Sequence, residues 1–100
     1  MTVHYISPSR ETLHGPFSRD RKPIISIESG DTVRFTTLDA GWGLEPFAED
    51  GTRKRLETPE QGHALCGPVE MKGARPGMVL EIQINQVVPG SWGLWVCPQI

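Results

Sequence analysis

The sequence predicts an all-β domain, and three observations carry that expectation. Eleven glycines and nine prolines are spread through 100 residues, which leaves a long helix almost nowhere to form. Two stretches rich in β-branched residues, 23–28 (PIISIE) and 32–39 (TVRFTTLD), lie either side of Ser29-Gly30-Asp31. Residues 78–85 then alternate, with Met78, Leu80, Ile82 and Ile84 on one side and Val79, Glu81, Gln83 and Asn85 on the other. That period of two is the mark of a strand with one covered and one wetter face.

The elements follow in chain order. Thr2 to Ile6 is an edge-strand candidate inside the polar segment 1–22. Residues 23–28 and 32–39 read as a hairpin, with Val33, Phe35 and Thr37 sharing a face. Residues 41–62 hold charge, Gly and Pro without a sustained period, and so read as a long loop of the kind that carries function or is disordered. Inside it, Arg53-Lys54-Arg55 is flanked by Glu49, Asp50 and Glu57 and is expected to be a solvated face. Ser29-Gly30-Asp31 and Arg75-Pro76-Gly77 each precede a strand candidate, where glycine can take the positive φ of a tight turn. Residues 92–100 (WGLWVCPQI) are apolar enough to need cover, which a chain this short has little core to supply.

Composition narrows the function classes. Hydrophobic residues are 37% of the chain and charged residues 22%, as expected for a single globular domain over residues 1–100. Twelve acidic and ten basic residues, net charge -2, are mixed along the chain. No basic surface for nucleic acid is expected from that mixture. The amino terminus shows neither a signal peptide nor an apolar span, so a cytoplasmic protein without a membrane partner is expected. Cys66 and Cys97 are too few for a disulfide framework and read as free thiols.

The polar groups worth testing are Asp39, His63, Cys66, His14 and His4. Hydrolytic and metal sites draw on imidazole, carboxylate and thiolate. Asp39 precedes the small residues Ala40 and Gly41, where a carboxylate can face a cleft. His63 and Cys66 sit in the Gly- and Pro-framed segment 62–68 (GHALCGP). Each has a plainer reading: His63 as a loop histidine, Cys66 as a small apolar residue, and His4 and His14 as surface residues. Trp42, three residues after Asp39, is either a pocket wall or core.

Taken in order, several segments resemble the acetamidase/formamidase family. Residues 23–33 (PIISIESGDTV) are similar to the family's P-x-L-x-I/V-x-P/S-G-D-T-V, and Leu38-Asp39-Ala40 follows. Residues 62–69 (GHALCGPV) resemble GHPLTGPV, residues 73–81 (GARPGMVLE) resemble GAEPGDVLEV, and residues 89–93 (PGSWG) resemble PGDWG. The likeness runs from about Tyr5 to Gly93 and includes His14 ahead of a short loop.

The resemblance implies a jelly-roll-like β-sandwich fragment with long loops, and hydrolysis of the C–N bond of small linear amides. It implies Asp39 and His63 as catalytic residues, Trp42 and Cys66 as substrate-binding residues, and a divalent metal, zinc foremost, on Asp39, His63 and His14. Such a metal polarises an amide carbonyl and supplies hydroxide near neutral pH. The departures are Ala64 and Cys66, where the family has Pro and Thr, and the lack of a counterpart to the family's MGDxHAxQGDGE segment. The expected partners are therefore a small amide and either further copies of the chain or a chain supplying the missing carboxy-terminal half.

Two other readings stand beside the amidase. One is a non-catalytic or truncated oligomerising β module of the same family. The other is a cupredoxin-like domain, which needs two His, a Cys and an axial ligand, whereas only Pro98, Gln99 and Ile100 follow Cys97.

Overall fold

The computed structural model describes residues 1–92. Among them the all-β expectation holds, with six strands and no helix: β1 (Val3–Ile6), β2 (Leu13–His14), β3 (Ile25–Ile27), β4 (Thr32–Phe35), β5 (Leu65–Cys66) and β6 (Val69–Met71). They form three two-stranded ladders joined by long loops. β1 runs parallel to β4, β3 parallel to β6, and β2 antiparallel to β5. No helix of the described residues is long and apolar enough to cross a membrane.

The expected hairpin between 23–28 and 32–39 does not form. β3 and β4 do flank a tight turn, with Gly30 at φ +91° and the Asp31 amide donating to the Glu28 carbonyl at 3.0 Å. The strands then part, and the Asp31 side chain supplies the reason. Its Oδ2 accepts the Glu28 amide and its Oδ1 accepts the Thr2 amide, both at 3.0 Å, while Oδ2 also meets His4 Nε2 at 3.0 Å. One carboxylate thus fixes the turn and fastens the start of β1 beside β4, in the register Val3↔Thr32 to Ile6↔Phe35. β3 is left to pair with β6, Ile25↔Val69 to Ile27↔Met71.

The Glu28 amide, then His4 and the Thr2 amide, hold the Asp31 carboxyl down at about 2. A carboxyl depressed on folding stabilises the protein above its unfolded pKa, and that contribution disappears as pH falls toward the folded value. The β1–β4 ladder should therefore loosen between about pH 4 and pH 2. Protection of the β1 amides relative to their intrinsic exchange rates should fall over that window and in Asp31→Asn at neutral pH; unchanged protection in the variant would remove Asp31 as the fastener.

The strand expected at residues 78–85 is also corrected. The turn before it forms, with Gly77 at φ +91° and the Met78 amide donating to the Arg75 carbonyl at 3.1 Å. Beyond it, residues 79–90 enter no ladder, and Met78, Leu80, Ile82 and Ile84 are 62–76% exposed. The alternating pattern is a strand's, but among the described residues the segment pairs with none of the three ladders. The apolar tail at 92–100 and Cys97 lie outside the described residues except for Trp92, which is exposed.

Among the described residues the core is small: Ile6, Leu13, Ile27 and Trp42, with His14 as the buried polar group. Residues 41–62 remain a long loop, but not a formless one. Leu44 donates to the Lys54 carbonyl and Leu56 to the Trp42 carbonyl, each at 2.9 Å, with Gly43 bridged to Arg55. The excursion closes at Ala48 to Thr52, where the Asp50 side chain accepts the Thr52 amide and hydroxyl.

Candidate functional site

Asp39 opens the turn that leads into this excursion. Its Oδ1 accepts the amides of Gly41 and Gly43 at 2.9 and 2.8 Å, and its Oδ2 accepts from Arg53 Nη1. Arg53, expected on a solvated face, instead has a side chain only 6% exposed. It lies over the Phe47 ring at 4.5 Å and against the backbones of Gly41 and Gly43. A Cβ on Gly43 would come within 2.2 Å of Arg53 Nη1, so glycine is what lets the guanidinium lie on this turn. Lys54 and Arg55 do remain exposed.

Burial alone pushes the Asp39 carboxyl up. The Arg53 hydrogen bond and charge, with the Gly43 and Gly41 amides, more than offset it, and the carboxyl lies below its usual range. An ionised carboxylate has about four lone-pair directions. Three are taken here, which leaves room for one more donor.

Trp42 joins this turn to the segment that carries His63. Its backbone sits at φ +65°, a region side chains other than glycine seldom occupy. The twist is held from three sides: the Trp42 amide donates to the Asp39 carbonyl at 3.1 Å, the Trp42 carbonyl accepts from Leu56, and the indole Nε1–H donates to the Gly62 carbonyl at 2.9 Å. The indole is 3% exposed. Of the two readings of Trp42, core is the one observed, in a place that also fixes the neighbour of His63.

A second contact brings β2 to the same segment. Gly15 lies so close to Gln61 that a Cβ there would stand 1.9 Å from the Gln61 carbonyl oxygen. The Gly15 amide donates to Glu60 Oε2 at 2.9 Å, and Glu60 is ion-paired with Arg21. His14, read first as a surface residue, is buried at 7% exposure. Its Nδ1–H donates to the Gly67 carbonyl at 3.1 Å, which leaves Nε2 as the ring's unprotonated nitrogen in the neutral form.

The His63 side chain is exposed. Cys66 is half-buried in β5, and burial pushes its thiol pKa up, the opposite of what a thiolate nucleophile requires. It is a free thiol. His4 is partly covered and engaged with Asp31.

The structure therefore draws together the turn at Asp39, the Trp42 indole, the backbone beside His63, and Gly15 next to His14. It does not assemble a three-donor metal cage. Among the described residues no group of three His, Cys, Asp or Glu side chains is placed to hold an ion, and Arg53 and two amides take all but one of the acceptor directions of Asp39. The residues present do not fit a zinc site made from Asp39, His63 and His14. Sequence reasoning missed Arg53 and Glu60: the first was hidden in a charged run, the second in a loop, and only the folded backbone shows which charge turns inward.

Comparison with known proteins bears on the chain at the level of family. A protein of Schizosaccharomyces pombe described as a candidate formamidase is 34% identical over 86 residues, 81% of this chain. The chain spans 20% of that relative's length. No family profile matches the chain, and no solved structure matches it. Over the stretch shared with the yeast protein, the chain is acetamidase/formamidase-like.

Proposed function

We propose that this chain acts in hydrolysis of the C–N bond of small linear amides, with Asp39 and His63 as its reactive groups. The observation that carries the reading is the Trp42 indole bond to the Gly62 carbonyl, which holds the Asp39 turn against the segment bearing His63. The formamidase description of the yeast relative supports it.

In this reading water adds to the amide carbonyl, the C–N bond breaks, and ammonia leaves with a proton while a carboxylate remains. Asp39, kept ionised by Arg53, has an acceptor direction left for the attacking water or the amide N–H. His63 is exposed and free to pass a proton to the departing nitrogen. Trp42 fixes the spacing of the two.

The test is ammonia release from formamide and acetamide by the purified chain. Slow turnover is expected, and Asp39→Asn should lower it by about 100-fold or more, the usual scale of a lost proton-transfer group. Turnover that survives Asp39→Asn would refute this assignment.

A second reading, a non-catalytic β module of the same family, is favoured by one observation. The Asp39 carboxylate already has three donors, all within its own loop, which is also how a purely structural carboxylate looks. No ammonia release from either amide would select it.

A further inference from the structure

We propose that Glu60 is a positioning residue, whose carboxylate pins one foot of a short arch, residues 61–64, that carries His63. The inference deepens the reading of His63 as a reactive group and rests on it. Glu60 Oε2 accepts the Gly15 amide at 2.9 Å, and its Oε1 accepts from Arg21 Nη2. The carboxylate is therefore a clip between the end of β2 and the start of the arch.

The other foot is the β2–β5 ladder. Leu13 pairs with Cys66 and His14 with Leu65, and the Gly67 amide donates to the Thr12 carbonyl at 3.0 Å. Residues 61–64 span the gap between these attachments and enter no ladder. Gly15 lies directly beneath: a Cβ on Gly62, which takes φ +100°, would stand 3.1 Å from the Gly15 carbonyl oxygen. Both segments of the chain that meet His63 thus hang from β2.

No buried side chain holds the arch itself, because Gln61, Gly62 and His63 are all exposed. Segments with few buried contacts are ordinarily the first to open. Against that tendency stand the Trp42 indole on the Gly62 carbonyl, a single neutral bond, and the clip at Glu60. The clip is the stronger of the two, since hydrogen bonds to an ionised group are about twice as strong as neutral ones. A proton donor must lie within hydrogen-bond reach of the atom it serves, and a displacement of about 1 Å can cost about 100-fold in rate. Loosening the foot at Glu60 therefore misplaces the His63 imidazole while leaving its chemistry intact.

The experiment is magnetic-resonance relaxation of the backbone amides in the full chain, which reads order without any turnover, with ammonia release from formamide measured beside it. In wild type the amides of Gly62, His63 and Ala64 should show order parameters of about 0.85, as rigid backbone does, and in Glu60→Ala these should fall below about 0.6. The amides of β1, paired to β4, should not change. Glu60→Gln keeps an acceptor for the Gly15 amide and should restore most of the order. Where wild type releases ammonia, Glu60→Ala should lower kcat by up to about 100-fold with KM unchanged, because His63 acts on the departing nitrogen and not in binding. A wild-type chain that releases no ammonia overturns the amidase reading alone, and relaxation still decides the role of Glu60. Equal order parameters at 62–64 in wild type and Glu60→Ala would overturn the proposal. So would a loss of order that spreads to β1, as for a residue of general structural importance, or one that Glu60→Gln fails to reverse.

Discussion

Trp42→Ala is expected to cost about 3–5 kcal/mol, the usual range for truncating a buried tryptophan. Among the described residues four apolar side chains form the buried core, so a loss of that size is a large part of all the stability a small domain holds. The cost has two sources that a second variant separates. Trp42→Phe keeps most of the ring but removes the N–H that binds the Gly62 carbonyl, and should cost about 1 kcal/mol, the net worth of one hydrogen bond. Urea denaturation followed by far-ultraviolet circular dichroism checks both. If Trp42→Phe keeps its stability yet loses amide turnover, the indole bond serves the spacing of Asp39 and His63. If both variants behave as wild type, Trp42 is not the link between the two loops.

Arg53→Met carries the second largest expected effect, about 3 kcal/mol, the lower end of the range for a buried pair that loses one partner. The lower end applies because Asp39 keeps the amides of Gly41 and Gly43 and its side chain is 16% exposed. The loss should depend on pH with a definite sign. Asp39 titrates below its usual range in the folded chain, so its pairing stabilises the fold above the unfolded carboxyl pKa, about 3.9. That advantage fades as pH falls through the folded value. Denaturation midpoints of wild type and variant should accordingly differ most near neutral pH and converge in acid. A gap that stays constant down to the acid limit would mean that Arg53 acts by packing on Phe47 and the glycines, not by charge.

These two positions also show what the sequence could and could not reveal. Class and turns were legible because they are local: glycine at 30 and 77 followed by alternating or β-branched residues announces a turn into an extended segment, and both turns form. Pairing was not legible. The short link between residues 28 and 32 suggested a hairpin, yet the Asp31 carboxylate binds Thr2 and His4 across 29 and 27 residues of chain. Nothing in local pattern encodes such a reach. Residues 78–85 have a strand's alternation, but alternation describes a side-chain pattern and says nothing about whether an edge is on offer. Within the site, Asp39 and Trp42 were visible as a carboxylate and an aromatic near small residues. The inward turn of Arg53 depends on bare backbone at Gly41 and Gly43, and the burial of His14 on the β2–β5 ladder. Both are properties of the assembled chain.

The strand pairing bears on how fast this protein reaches its native state. None of the three ladders joins neighbours in sequence; their contacts span 29, 44 and 53 residues. Each such closure spends chain entropy before any ladder bond returns it, and topologies dominated by distant contacts fold in milliseconds to seconds, where helical bundles take microseconds. The chain therefore passes a comparatively long interval with its apolar segments uncovered, and stopped-flow refolding should show its main phase on that slow scale.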